Sequence, residues 1–173
     1  WQQTGHLSFG VTERLCRRLA DLSLILRFDP QAATVLLHDV TRHYLLNQKT
    51  SPKQLVAWHC ALLNGYRAQC SGEWWRLPDD GYLYQQLLWH FQQAQQQGAL
   101  ETLLFTYPWL DAKLQATDIV SLIHDFDFRL DKQRNAPLSL LRHTLQMSVS
   151  VLARDKDQLV SQLYNRLGRL EGR

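Results

Sequence analysis

The groups in this 173-residue chain that could carry chemistry are seven histidines, three cysteines and sixteen carboxylates. Their spacing points away from catalysis. His59, His90, His124 and His143 fall on separate helical segments, with no HExxH or comparable pair to bring two imidazoles onto one metal. His124, Asp125 and Asp127 share one segment, which admits two readings: a proton relay, or the polar face of an amphipathic helix. No GxSxG elbow and no GxxxxGK[ST] phosphate loop occurs. Cys16, Cys60 and Cys70 are odd in number and lack CxxC spacing. They read as reduced thiols of a cytoplasmic protein, with Cys16 and Cys60 as small core residues. The expectation is therefore no catalytic residue, no metal and no enzymatic activity in this chain.

The elements that would position any site are mostly helices. Residues 11–21 have helical spacing, with Leu15 and Leu19 inward and Arg14, Arg17 and Arg18 outward. LSLILRF (22–28) and ATVLLHD (33–39) are branched and apolar, joined by a turn at Asp29-Pro30-Gln31-Ala32, and read as a β-hairpin. Asp39 to Leu46 returns to helical spacing. Helix, hairpin and helix in 47 residues resemble the C-terminal part of a winged-helix domain. After a break at 47–52, Ser51-Pro52-Lys53-Gln54 reads as a capping box that opens a helix carrying Leu55, Trp58, Leu62 and Tyr66 on one stripe. A loop at 70–81 follows. Asp79 and Asp80 are candidate caps for a helix with Leu83, Leu87, Phe91 and Ala94 on one face, ended by Gly98. Further helices are expected from near Ala99, Pro108, Asp118, Pro137 and Lys156. Two of them carry the stripes Ile119, Leu122, Ile123, Phe126, Leu130 and Leu159, Leu163, Leu167, Leu170. The expected fold is mainly α: a partial winged helix with one hairpin (residues 1–47), then an antiparallel, armadillo- or solenoid-like helical array (48–173).

Thirty-three leucines against eight glycines and five prolines favour helices over an all-β fold. Nineteen basic and sixteen acidic residues leave a net charge of +3, too small to indicate nucleic acid or membrane. No apolar run approaches the ~20 residues that cross a bilayer. The chain opens on Trp1 with no signal-peptide pattern, as expected of a piece of a longer protein. Three side-chain groups could bind partners. Arg14, Arg17 and Arg18 with Arg27 could meet DNA phosphates, or form a solvated or ion-paired face. Trp74 and Trp75 beside Arg76 could anchor a partner, but core packing is the preferred reading. Seven glutamines within 85–97 form a neutral polar face.

Two stretches together, LADLSLILRF…TVLLHDVTRHYL (19–46) and LPDDGYLYQQLLWHFQQAQQQGALETLLFTYPWLDAKL…IVSLIHDFDF (77–128), resemble the winged-helix C-terminus and helical domain of the apoptotic protease-activating factor. They are similar to bacterial STAND signalling ATPases, also called NB-ARC proteins, which often carry a C-terminal WD-repeat propeller. The likeness covers most of 11–130, and the tail (140–170) looks like the segment that leads into the propeller. It implies that Leu37-His38-Asp39 corresponds to the family's MHD motif, with Leu for Met. His38 is then the ADP phosphate sensor of the intact protein. It also implies no cofactor in this fragment, ADP or ATP in the parent, and contacts with the parent's nucleotide-binding and sensor domains. A homo-oligomer on activation is implied as well. Both the small net charge and the likeness weigh against DNA. The functional expectation is a non-catalytic regulatory module, a rigid arm between ATPase core and sensor. The alternatives are a winged-helix DNA-binding module and a nucleotide-independent helical adaptor.

Overall fold

The structure, a computed structural model, describes residues 7–31, 34–77, 79–127 and 136–168. Helices make up 74% of it, against a single two-stranded antiparallel hairpin, so the mainly α expectation is met. The chain forms two compact units, Trp1–Gly65 and Tyr66–Arg173.

In the first unit, α1 (Phe9–Asp21) leads into β1 (Ile25–Asp29) and β2 (Thr34–Leu37). The strands begin later than the apolar run suggests. Residues 22–24 close the helix instead: Ser23 takes a left-handed φ of 57° and the Leu24 N–H reaches the Leu19 carbonyl at 2.9 Å. Ile25 pairs with Leu37 and Arg27 with Leu36, leaving a bulge at Leu26. In the turn, the Asp29 carboxylate accepts the Gln31 N–H at 2.9 Å; Ala32 lies outside the described residues. Cys16 and Ile25 are buried, whereas Leu15, expected inward, is 38% exposed. The inward face of α1 is thus turned by one residue, about 100° of helix. The short α2 (Asp39–Tyr44) continues into a π-helical turn at Leu45–Lys49.

The long α3 (Pro52–Cys70) crosses from the first unit into the second. Its start follows from Ser51 and Gln54. The Gln54 N–H donates to Ser51 Oγ at 3.3 Å, and the Ser51 N–H donates to Gln54 Oε1 at 2.9 Å. The buried positions of α3 are Leu63 and Cys70, seven apart, while Trp58 is 50% exposed. Trp58 is therefore not the core residue its apolar stripe indicates. Cys60 is half-buried, and none of the three cysteines is in a disulfide.

The second unit holds a 3₁₀ turn (Trp74–Arg76), α4 (Leu83–Gln93), α5 (Gln97–Leu104), α6 (Tyr107–Ala116), α7 (Ile119–Asp127), α8 (Ala136–Met147), α9 (Val149–Leu152), a second 3₁₀ turn (Lys156–Gln158) and α10 (Leu159–Leu167). From α4 to α9 each helix packs on the next, and α8 also packs on α10. Asp80 caps α4, accepting the Leu83 N–H at 2.8 Å, and Asp79 accepts the Gly81 N–H at 2.9 Å. Leu83, Leu87, Phe91 and Ala94 are all buried, as their spacing requires. Gly98 does not end this helix. Gln95 takes the left-handed φ of 58°, the Gln96 N–H closes on the Phe91 carbonyl at 2.9 Å, and Gly98 sits inside α5. Trp74 is buried edge-on to Phe91, ring centres 5.2 Å apart, and Trp109 stacks on Tyr84 at 5.5 Å. Trp74 and Trp109 are core residues. Ile119, Leu122, Phe126 and Leu159 are buried as well; Leu130 and Leu170 lie outside the described residues.

Candidate functional site

The sequence places its one candidate ligand at the junction of β2 and α2. There Leu37 ends the strand, His38 is extended (φ −61°, ψ 140°), and Asp39 begins the helix. The His38 carbonyl accepts the Arg42 N–H at 2.9 Å, fixing the junction. Its side chain is exposed. Asp39 is the first helical residue rather than the cap, and its carboxylate stands beside the imidazole in sequence. Only six residues long, α2 has few peptide dipoles to sum toward an anion. An exposed imidazole here fits one phosphate contact, and Asp39 opposes an anion electrostatically. These residues do not amount to a nucleotide cradle by themselves. Arg14, Arg17, Arg18 and Arg27 are exposed, and Arg17 is held by Glu13 at 2.7 Å, one turn earlier on α1. Part of the basic face is thus neutralised within its own helix.

A second constellation lies in the second unit, where Lys113 of α6 and Asp125 of α7 are 1% and 2% exposed. The Lys113 ammonium donates to Asp125 Oδ1 at 3.2 Å and to the backbone carbonyl of Tyr84 in α4. One nitrogen thus ties together three helices. Asp125 Oδ2 also lies 3.2 Å from that nitrogen but is out of alignment, and it is buried without a hydrogen bond. Burial pushes the Asp125 carboxyl up to about 7, against the opposing pull of the Lys113 charge. Beside the pair is a cleft of about 480 Å³ bordered by Gln85, Gln86, Val120, Ser121 and His124.

Asp125 therefore does not belong to a polar outer face. His124 is exposed, Asp125 points into the core, and Asp127 pairs with Arg142 of α8 at 2.7 Å. The two carboxylates thus serve different partners, Asp125 the Lys113 ammonium and Asp127 the Arg142 guanidinium. The pair escaped sequence reading because Lys and Asp are rarely buried. A signal was present: Lys113 continues the buried register of Trp109, Leu110 and Leu114, and Asp125 falls between Leu122 and Phe126. Opposite charges on the apolar stripes of adjacent helices mark a buried pair.

His90, a buried imidazole, meets the Tyr82 hydroxyl at 2.8 Å through Nε2. The Tyr66 hydroxyl donates to Asp80 Oδ2 at 3.1 Å, and burial together with that carboxylate pushes its phenol up to about 12. Asp118 caps α7, and the Ser121 N–H it accepts, at 2.9 Å, is the main influence holding its carboxyl below the usual range. These are structural contacts that fix helix ends. Among the described residues no group of three or more His, Cys, Asp or Glu could hold a metal, and no helix is long and apolar enough to cross a membrane.

The polar contacts described in this helical array serve caps and packing. The family model of the APAF-1 helical domain matches residues 55–164. That span exceeds half of the chain, and the chain belongs to this family. The match starts inside α3 and ends inside α10, taking in the whole of α4–α9. No curated protein and no solved structure matches the chain. The chain is thus a regulatory helical module of APAF-1-like type, and the family's helical domain is non-catalytic.

Proposed function

We propose that the chain is the mechanical arm of a STAND-type signalling ATPase. Residues 1–47 form the C-terminal part of a winged helix that packs on a nucleotide-binding domain of the same parent. Residues 48–173 form the helical array that leads toward a sensor domain, of WD-repeat type in the relatives the sequence resembles. The observation that carries this reading is the APAF-1 helical-domain match over 55–164. The packing of each helix on its neighbour supports it. A sub-domain rotation can pass through a connector only if the connector moves as a body.

Within that reading His38 is the nucleotide-state contact. ADP held by the parent's nucleotide-binding domain supplies phosphate charge, and the exposed imidazole at the strand–helix junction donates an N–H toward it. Its loss weakens the closed form, and the open form assembles into an oligomer. The two states must differ in contacts made by this arm, since a ligand shifts an equilibrium only by its differential affinity. The test is His38→Leu in the full-length parent, with the ADP off-rate measured by loss of a fluorescent analogue. Faster release with raised basal activity is expected. An unchanged off-rate overturns the role of His38.

A further inference from the structure

The Lys113–Asp125 pair lies outside everything the nucleotide reading uses, and the following inference does not depend on that reading. We propose that this pair is a proton-controlled latch on α7: a protonated Asp125 favours the sealed packing of α7 on α6, and an ionised one favours a hydrated form in which the adjoining cleft opens to water.

Three observations carry it. Both side chains are sealed, at 1% and 2% exposure, so the state described is the dry one and admission of water would be a distinct change. Asp125 Oδ2 is buried with no hydrogen bond, so the dry state leaves an ionised carboxylate half satisfied. The cleft of about 480 Å³ that borders both residues gives water a short way in. The Asp125 carboxyl, pushed up to about 7, supports the same conclusion.

The direction follows from linkage. The form that buries the carboxyl binds its proton more tightly than the form that hydrates it, so protons favour the buried form. Lowering the pH therefore closes the latch and raising it opens the latch. Asp125 is the controlling group of the proposed latch; other groups lie around the pair. From α4 come Tyr84, whose hydroxyl donates to the Leu77 carbonyl at 2.9 Å, and the neutral Gln85 and Gln86. On α7 itself His124 borders the cleft. In α8, Arg142 is committed to Asp127 at 2.7 Å, and in the 3₁₀ turn Arg76 is committed to Glu73 at 2.7 Å. The α5 segment brings Glu101, and α9 (Val149–Leu152) has no ionisable side chain.

Two measurements on the whole chain test this. The first is the ¹³C shift of the Asp125 carboxyl in the unmodified protein, followed by NMR from about pH 3 to 9. A titration near 7 is expected, and a midpoint at the ordinary carboxylate value overturns the proposal. The second is hydrogen exchange of residues 107–127 at about pH 6 and pH 8, corrected for the intrinsic rate. Opening is expected to rise about tenfold over that interval if the open form restores ordinary carboxylate behaviour. In Asp125→Asn the corrected protection should be the same at both pH values, and in His124→Gln it should keep the wild-type response. A pH response that survives in Asp125→Asn, or vanishes in His124→Gln, overturns the latch.

Discussion

Replacing Lys113 by Met removes the ammonium from a carboxylate that is 2% exposed, and takes a donor from the Tyr84 carbonyl. Removing one partner of a buried pair costs about 3–5 kcal/mol, because the remaining charge is neither hydrated nor paired. In a unit of this size that is on the order of 10–20 °C of Tm. The loss has a pH signature. The Lys113 charge is what draws Asp125 down toward its present value of about 7, so the carboxyl of Lys113→Met titrates higher still. A carboxyl raised in the fold contributes stability that is complete below its ordinary 3.8 and is lost as pH rises through the folded value. Lys113→Met should therefore be weakest at about pH 8. At about pH 5.5 it should recover much of the difference, because Asp125 is then neutral and the residual cost is that of a buried polar group, roughly 1–3 kcal/mol. The double variant Lys113→Met/Asp125→Leu should return to within about 1 kcal/mol of the parent, since an apolar pair of similar volume replaces a desolvated ionic one. Urea unfolding of the three proteins at both pH values reads all of this. If Lys113→Met stays within about 1 kcal/mol of the parent at pH 8, or is weaker at pH 5.5 than at pH 8, the pair is hydrated rather than sealed and the reasoning fails.

Two further substitutions probe packing and capping. Trp109→Ala, at a fully buried ring stacked on Tyr84, should cost about 3–5 kcal/mol, whereas Trp58→Ala, at a half-exposed one, should cost under about 1 kcal/mol; similar losses in thermal melts would contradict the burial. Ser51→Ala deletes the acceptor of the Gln54 N–H at the start of α3 and should lower stability by about 1 kcal/mol in urea titrations, with Ser51→Thr close to the parent.

Local rules were legible and registers were not. The Ser51–Gln54 box, the Asp80 cap and the Leu83–Leu87–Phe91–Ala94 stripe depend on residues within one or two turns of each other, so their spacing alone determines them. The hairpin was legible for the same reason. Gly98 and Leu15 were misread where two signals competed. Gly is the usual left-handed residue, but Gln95 reaches that conformation first because Gln96 closes on Phe91. Leu15 yields the inward position to Cys16 on a helix that packs on β1. The phosphate contact proposed for His38 rests on family likeness alone, because an exposed histidine before a short helix is chemically unremarkable by itself.

The buried pair does a job that the apolar stripes around it cannot do. Leu87, Leu88, Leu110, Leu114 and Leu122 are buried on α4, α6 and α7, and apolar contacts of this kind are nearly indifferent to small slides along a helix. A nitrogen that must meet both the Tyr84 carbonyl and Asp125 Oδ1 is not indifferent, because a shift of one helical residue, about 1.5 Å, breaks one bond or the other. The leucines supply the burial that holds the unit together, and the Lys113–Asp125 contact selects one register among those that burial permits. An arm of the kind proposed above, if it passes a rotation from one end to the other, needs that selection more than it needs additional stability. A stack that slips absorbs the displacement it receives.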